Sequence, residues 1–307
     1  MASGRLRHFT GLRRVEPSRL ASLIAHAAEL RQQVQEGHDT SLRLRGRAVA
    51  LLFVEPSTRT RFSFEMACHR LGATPLVFDP DRSSSKKGES LLDTARVLQA
   101  HGAEAFVVRH KTVGAPQFLA RSLSVPVINA GDGIHEHPTQ ALLDLMTLRD
   151  RFEDLAAIHV GIVGDVLHSR VARSNILGLR AFGAKVSVCG PGTLCSTDVR
   201  ALGAEVASDI DALLPELDAV MMLRIQRERL GGAMVASEAE YRRRWGLTTE
   251  RVEHLPSHGV VLHPAPMNRG VEIDDGVADG PRSVIFDQME NGVFARMAVL
   301  LHCMGAD

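Results

Sequence analysis

Short apolar runs and longer amphipathic segments take turns along the whole chain. The apolar runs, for example residues 48–54 and 105–109, are too short to span a membrane and predict buried strands. The longer segments, for example residues 18–35, carry apolar residues at helical spacing and predict helices. Because strands and helices alternate, the pattern favours parallel sheets with helices on both faces.

The predicted elements form two series with a boundary near residue 150. The first series comprises helix 18–35, strand 48–54, helix 57–71, strand 74–78, helix 90–101, strand 105–109, helix 115–122, strand 125–129 and helix 139–151. The second comprises strand 159–165, helix 169–182, strand 185–189, a short helix at 198–202, strands 219–224 and 260–263, and helix 289–302. We therefore predict the α/β class with two Rossmann-like domains, residues 1–150 and 151–288, each a parallel sheet flanked by helices. A C-terminal helix, residues 289–307, is expected to return to the first domain.

Composition narrows the class of protein. With 307 residues, 45% of them hydrophobic, the chain can bury an extensive core. Lys+Arg and Asp+Glu both number 36, so the basic excess typical of nucleic-acid binders is missing. No apolar run reaches transmembrane length, and residues 1–14 lack the apolar segment of a signal peptide. The four cysteines are scattered without a CxxC pair, which indicates reduced thiols in a cytoplasmic protein.

The turn after the first predicted strand carries the strongest chemical signal. Ser57, Thr58, Arg59, Thr60 and Arg61 crowd a predicted helix start. A helix N-terminus favours an anion, because its N–H groups are unpaired and its dipole end is positive. The guanidinium group of arginine matches the geometry of phosphate oxygens. Two arginines in a first turn are unfavourable next to the positive end of the helix dipole, and such a locally unfavourable choice indicates a functional reason, here a phosphate site. The alternative is a capped helix with a solvated basic turn, with Ser57 or Thr58 as the cap.

The turn just described is one of six polar clusters that follow predicted strands. They lie at residues 55–61, 109–110, 129–140, 165–170, 224–229 and 263–269. Ligands of open α/β sheets bind beyond the carboxyl ends of strands, so the clusters indicate ligand binding rather than unrelated surface residues. Arg170, Arg224 and Arg229 suit carboxylates. A phosphate compound and a carboxylate compound are therefore the hypothesised substrate pair.

Three other segments leave more room for interpretation. His135, Glu136 and His137 lack the four-residue spacing of a helical zinc pair, so no metal is expected. His137 is better placed to donate a hydrogen bond to a carbonyl, the alternative being an exposed loop histidine. Residues 83–90 are either a solvated loop or a flap that brings ammonium groups to an anion. Residues 161–165 lack the GxGxxG spacing and are interpreted as packing glycines in a Rossmann-like turn.

Six motifs, in this order, resemble those of a known family. They are residues 57–61, 86–89, 137–140, 165–170, 224–226 and 263–266. Together they span essentially the whole chain and resemble the aspartate carbamoyltransferases, the catalytic polypeptides of pyrimidine synthesis. Ornithine carbamoyltransferases share the first motif but typically carry cysteine at the positions of Thr139 and Ala265. Lys87, Arg170 and Arg224 suit a dicarboxylate and would repel a second ammonium group.

Two alternatives remain beside this assignment. One is an ornithine carbamoyltransferase or another carbamoyltransferase of the superfamily. The other is a non-catalytic anion-binding paralogue. A paralogue is expected to have lost part of the catalytic set, which is intact here: Arg59, Thr60, Lys87, Arg109 and His137.

The resemblance implies that the first domain binds carbamoyl phosphate. The phosphate would be held by the residues of the helix start, Ser57, Thr58, Arg59 and Thr60, and Arg59 would also stabilise the leaving oxygen. The carbamoyl carbonyl would be polarised by three donors, namely Thr60, Arg109 and His137. The carbamoyl NH2 group would be held by Gln140 and by the backbone of Ala265 and Pro266.

The resemblance further implies binding of L-aspartate, through Lys87, Arg170, Arg224 and Gln226. The aspartate amine would attack the carbamoyl carbon directly, without a metal, a cofactor or a covalent enzyme intermediate. On domain closure Glu55 would bridge to Arg170 or Arg229. Members of the family form homotrimers in which residues 83–87 complete a neighbour's site, and some assemble with regulatory chains or a dihydroorotase-like protein.

Overall fold

Two compact units make up the structure, a computed structural model that describes residues 6–79, 89–225 and 237–306. The first unit is Met1–Met146 with Glu290–Asp307, and the second is Thr147–Met289. Each contains a sheet in which every strand pairing is parallel. The predicted class, two α/β domains with parallel sheets flanked by helices, is confirmed.

The first unit is built on a sheet with the strand order β2-β1-β3-β4. Its elements are α1 (Pro17–Gln35), β1 (Ala48–Phe53), α2 (Thr58–Leu71), β2 (Thr74–Phe78), α3 (Leu91–Ala100), β3 (Ala105–His110), α4 (Ala115–Ser122), β4 (Val127–Asp132) and most of α5 (Pro138–Arg149). The central strand β1 and the first four residues of β3 bury nearly every side chain, which matches their apolar sequence.

The second unit has the strand order β7-β6-β5-β8-β9. Its elements are β5 (His159–Val163), α6 (Arg170–Ala181), β6 (Lys185–Cys189), β7 (Glu205–Ala207), α7 (Ile210–Leu213), β8 (Ala219–Met222), α8 (Glu238–Trp245), α9 (Thr249–Val252), β9 (Val260–Leu262) and α10 (Asp275–Ala278), with 3-10 turns at Leu155–Ala157, Thr197–Leu202 and Leu214–Glu216. The chain ends in α11 (Ile285–Met304), whose residues from Glu290 onward belong to the first unit.

The sequence pattern misplaces one strand and misses several short elements. The strand predicted at 125–129 is observed as β4 at Val127–Asp132, because Pro126 has no N–H and joins the ladder only through its carbonyl, which accepts from Phe106. The elements β7, α7, α8, α9 and α10 are three to eight residues long, too short for a periodic signal. The observed α11 also begins four residues before the predicted start at residue 289.

Gly161 in β5 and Gly164 directly after it have structural roles in this turn, as interpreted from the sequence. A Cβ on Gly161 in β5 would lie 2.4 Å from Leu217 Cδ1, so a larger residue would collide with the core. Gly164, directly after β5, has a φ of +131°, which favours glycine. All four cysteines are free and buried. Over the described part of the chain, no helix is long and apolar enough to cross a membrane.

Candidate active site

The turn between β1 and α2 has the features of an anion site. Ser57 occupies the N-cap position with extended backbone, but its hydroxyl makes no capping hydrogen bond. Thr58 and Arg59 are exposed, whereas Thr60 is buried. The Ser57 hydroxyl therefore does not cap the N–H groups of this first turn, which weakens the alternative of a helix start that serves only as a capped helix.

The two arginines of the turn have different roles in the structure. Arg61 lies 3.2 Å from Glu65 on the same helix and packs over the ring of Phe62. This ion pair of i,i+4 type offsets the unfavourable interaction of Arg61 with the helix dipole. Arg59 is the exposed arginine of the first turn. The role of Arg59 as a phosphate ligand stays a prediction.

Arg109 is held at the carboxyl ends of the first sheet. It pairs with Phe53 in the β1–β3 register and is only partly exposed. Its guanidinium donates to Glu55 Oε1 at 2.8 Å and to the carbonyl of Ala130 at 3.2 Å. Glu55, predicted as a domain-closure residue, therefore contacts Arg109; its bridge to Arg170 or Arg229 stays a prediction.

His137 stands immediately before α5 and faces two hydroxyl groups. Its Nε2 lies 3.5 Å from Thr60 Oγ1, and its Nδ1 lies 3.5 Å from Thr139 Oγ1. All three residues are buried. The structure therefore brings together two of the three groups expected to polarise the carbonyl. The buried position of His137 also argues against an exposed loop histidine.

A network of hydrogen bonds fixes the turn that precedes His137. Asp132 Oδ1 accepts from Asn129 Nδ2 at 2.8 Å and from the N–H of Glu136, and Oδ2 accepts from the N–H of Gly114. Burial alone would raise the pKa of Asp132. Hydrogen bonds from His135, Gly114 and Asn129 outweigh burial and hold this pKa below its usual range.

The side chains of His135 and Glu136, next to His137, contact other groups of the protein. His135 Nδ1 lies 3.0 Å from Asp132 Oδ2, and Glu136 Oε2 accepts from the N–H of Leu12 at 2.7 Å. In the described ranges, no group of three or more His, Cys, Asp or Glu side chains could hold a metal ion. Sequence reasoning missed the tether from Glu136 to Leu12, since nothing in the pattern joins residues 124 positions apart.

Gln140 lies in the first turn of α5 and is buried. Its Nε2 donates to Asp144 Oδ1 at 2.9 Å. The two residues are four positions apart and so share one helix face. Asp144, which is fully buried, was not singled out from the sequence, although this spacing is a signal that could have revealed it.

In the second unit, candidate residues follow β5, β8 and β9. Arg170 is the first residue of α6, whose N-cap Ser169 accepts from the N–H of Ala172. Arg224 follows β8 and is exposed. Ala265 and Pro266 follow β9 and are partly exposed.

The segment after β9 is fixed by a buried pair, His263 and Glu272. Glu272 Oε1 lies 3.2 Å from His263 Nε2 and accepts from the N–H of Asn268. His263 Nδ1 accepts from the N–H of Ala265 at 2.8 Å, so Nε2 carries the ring proton. Arg269, at the end of the predicted cluster, is engaged instead with two exposed acids, Asp275 and Asp279.

Some predicted residues fall outside the described ranges. They are Lys87 with its loop at residues 83–87, Gln226 and Arg229. Their predicted roles stay predictions.

Comparison with known proteins identifies the family. The family described as "Aspartate/ornithine carbamoyltransferase, carbamoyl-P binding domain" matches residues 7–150, and "Aspartate/ornithine carbamoyltransferase, Asp/Orn binding domain" matches residues 156–303. The chain belongs to the aspartate/ornithine carbamoyltransferase family. The resemblance drawn from the six motifs is thereby confirmed.

Relatives and solved structures of this family match nearly the whole chain. The aspartate carbamoyltransferase catalytic subunit of Myxococcus xanthus is 51% identical over 97% of this chain and 99% of its own length. That of Salinispora arenicola is 55% identical over 86% of this chain and 87% of its own. Aspartate transcarbamoylase from Trypanosoma cruzi, solved with carbamoyl phosphate and aspartate, superposes with a TM-score of 0.87 at 28% identity, covering 98% of this chain and 96% of that chain.

The carbamoyltransferase fold by itself does not separate the two substrate classes of the family. Ornithine carbamoyltransferase from Pyrococcus furiosus superposes with a TM-score of 0.86 at 28% identity, covering 98% of this chain and 99% of that chain. This value is nearly equal to that of the aspartate enzyme above. Choice of the acceptor must therefore be argued from sequence and site residues.

Proposed function

We propose that this protein transfers the carbamoyl group of carbamoyl phosphate to the amine of L-aspartate, giving N-carbamoyl-L-aspartate and phosphate. The observation that carries the proposal is the contact of Thr60 with His137 beside an uncapped helix start, in a chain of the carbamoyltransferase family. Relatives named aspartate carbamoyltransferase, with about half of their residues identical, support aspartate as the acceptor.

The proposed reaction begins with carbamoyl phosphate at the start of α2. The phosphate lies against the first turn, where the dipole end and Arg59 offset its charge. Thr60, Arg109 and His137 donate to the carbamoyl oxygen and stabilise the negative charge that develops there. The salt bridge from Arg109 to Glu55 and its bond to the Ala130 carbonyl preorganise one of these donors.

The aspartate amine then attacks the carbamoyl carbon. Arg170 and Arg224, with Lys87 and Gln226, hold the two carboxylates of aspartate. The new C–N bond gives a tetrahedral intermediate, and its collapse breaks the C–O bond to phosphate. The leaving phosphate accepts the amine proton. Positioning and preorganised charge supply the rate enhancement.

The acceptor is argued from two small residues and from charge. Thr139 and Ala265 stand where ornithine enzymes typically carry cysteine. Arg224 is exposed after β8 and suits a carboxylate rather than the second ammonium group of ornithine. The test is a parallel assay of carbamoyl phosphate with aspartate and with ornithine. Product with aspartate alone is expected; product with ornithine alone would overturn the proposal.

We propose in addition a homotrimer with shared active sites, in the cytoplasm. The trimer rests on the family resemblance, and the location on the four free, buried cysteines. Mixing two variants of strongly reduced activity, Lys87→Gln and His137→Ala, tests site sharing, because mixed trimers regain some sites with both native residues. Recovery of activity on mixing is expected, and light scattering of each variant checks the trimer. Mixed trimers without recovered activity would refute sharing.

A further inference from the structure

Gln140, Asp144 and Arg296 form a buried polar row in the first unit. The inference drawn from this row rests on the proposed function. Gln140 Nε2 donates to Asp144 Oδ1 at 2.9 Å. The positive charge of Arg296, in α11, acts on the carboxylate of Asp144. All three side chains are more than nine-tenths buried. Buried charges of this kind are costly unless paired, so the row calls for an explanation.

Arg296 is held in one place by several contacts. One of its terminal nitrogens donates to Ser63 Oγ and to the carbonyl of Gly292, each at 2.8 Å, and its guanidinium packs over the ring of Phe64. A Cβ on Gly292 would lie 2.4 Å from that same nitrogen, so the helix leaves space for the guanidinium there.

Arg296 remains a cation at neutral pH. Burial lowers its pKa to about 10, while the attraction of Asp144 opposes that effect and the nearby charge of Arg109 adds to it. A pKa of about 10 is still far above 7. A fixed cation therefore stands beside Asp144.

The chemistry of the carboxylate decides how the Gln140 amide is turned. An ionised carboxylate only accepts hydrogen bonds, whereas a carboxamide has one donating end and one accepting end. With Asp144 as its partner, Gln140 must present Nε2 to the carboxylate. Its oxygen, Oε1, is then directed away from Asp144 and is ready to accept from a donor.

We propose that Asp144 is a positioning residue that fixes the orientation of the Gln140 amide, so that the site selects a carbamoyl group by its N–H donors. The ligand class is an acyl phosphate with an amino group on the acyl carbon. Acetyl phosphate has the same phosphate and carbonyl but a methyl group in place of NH2. It gains nothing from an accepting Oε1.

The Asp144→Asn variant tests the inference, because it keeps the shape and removes the fixed polarity. The cation of Arg296 attracts the oxygen of the introduced amide, so the NH2 group of that amide faces Gln140. Gln140 then turns its oxygen toward that NH2 and presents its own NH2 to the substrate. Two donors, the NH2 of Gln140 and the carbamoyl NH2, then face each other and cannot form a hydrogen bond. The affinity for carbamoyl phosphate should fall about tenfold or more relative to that for acetyl phosphate.

The measurement uses the full-length enzyme with aspartate as the acceptor. It compares the KM for carbamoyl phosphate with the inhibition constant of acetyl phosphate in the wild type and in the variant. Glu136→Gln is the matched control, since it neutralises another buried carboxylate of the same unit that binds Leu12 instead. Its ratio of the two constants should equal that of the wild type. Asp144→Ser, which also removes the carboxylate, replaces Asp144→Asn if the latter does not fold.

The outcomes separate this inference from the proposed function. A rise of the ratio of the KM for carbamoyl phosphate to the inhibition constant of acetyl phosphate, in the Asp144 variant alone, supports the positioning role. An equal loss of affinity for both acyl phosphates would indicate a merely structural residue and overturn the inference, as would an unchanged ratio. A wild-type enzyme that forms no carbamoyl-aspartate would overturn the proposed function and this inference together.

Discussion

Removal of the Glu272 carboxylate should destabilise the second unit and weaken substrate binding together. Glu272 is fully buried, and its Oε1 accepts from two donors, the buried His263 Nε2 and the partly buried N–H of Asn268. Each donor left without a partner costs roughly 1–3 kcal/mol, so Glu272→Ala should lower the free energy of unfolding by about 2–6 kcal/mol. Glu272→Gln keeps an accepting oxygen and should cost less, about 1–2 kcal/mol.

The functional effect of Glu272→Ala follows from the histidine tautomer. While Glu272 accepts from Nε2, His263 Nδ1 is free of a proton and accepts from the N–H of Ala265. Ala265 has a φ of +53°, a region that costs a residue with a Cβ roughly 1 kcal/mol and needs support from its surroundings. Without Glu272 the ring can take up the other tautomer and lose this bond. The KM for carbamoyl phosphate should therefore rise about tenfold.

The assay can follow the second unit selectively. Trp245 is the one tryptophan of the chain and lies in α8, so its fluorescence during urea unfolding reports on this unit. Glu253→Ala is the control, since Glu253 is 71% exposed and lies 3.7 Å from Arg282; it should change stability by less than about 0.5 kcal/mol. A loss below about 1 kcal/mol in Glu272→Ala, with an unchanged KM, would refute the reasoning.

Two further predictions concern histidines. His137→Ala removes a donor to the carbamoyl oxygen and should lower turnover on the order of 10²-fold in steady-state kinetics; an unchanged kcat would exclude this role. Burial, reinforced by the charge of Lys185, lowers the pKa of His159, whose ring contacts Ser187 Oγ at 2.7 Å. The unfolded state therefore binds the proton more readily, and stability should decline as the pH falls through about 6.5. His159→Gln should lessen this decline in urea titrations at pH 5 to 8, since the pKa values of His8 and His110 are lowered as well; a variant with an undiminished decline would contradict the assignment.

The predictable part of this fold is the part encoded in local patterns. The strands β1 and β8 are apolar throughout, β3 begins with four apolar residues, and β6 places polar residues between apolar ones. The helices between them have clear periodicity, so the order of these elements could be predicted with ends within about two residues. The elements that escaped prediction, such as α7 and α9, are single turns begun by a side-chain cap. Their caps, Asp209 and Thr248, were visible in the sequence but are too common to be decisive.

The site residues that could be predicted from the sequence are likewise those at the ends of strands and the starts of helices. Arg59 and His137 stand at helix starts, and Arg109 stands at the carboxyl end of β3, where topology makes polar residues informative. The supporting residues Asp144 and Arg296 lie inside helices, where a charged residue in a sequence is most often on the solvent face. That these two are buried together depends on α11 returning to the first unit, a long-range fact that no local pattern contains.

The supporting carboxylates share one physical task. The amide of Gln140 and the imidazoles of His135 and His263 can each present a donor or an acceptor, and each faces a buried acid, namely Asp144, Asp132 or Glu272. An ionised acid only accepts, so each pairing settles which atom carries the hydrogen. The imidazole of His137 lies instead beside two hydroxyl groups, those of Thr60 and Thr139, and a hydroxyl can donate or accept.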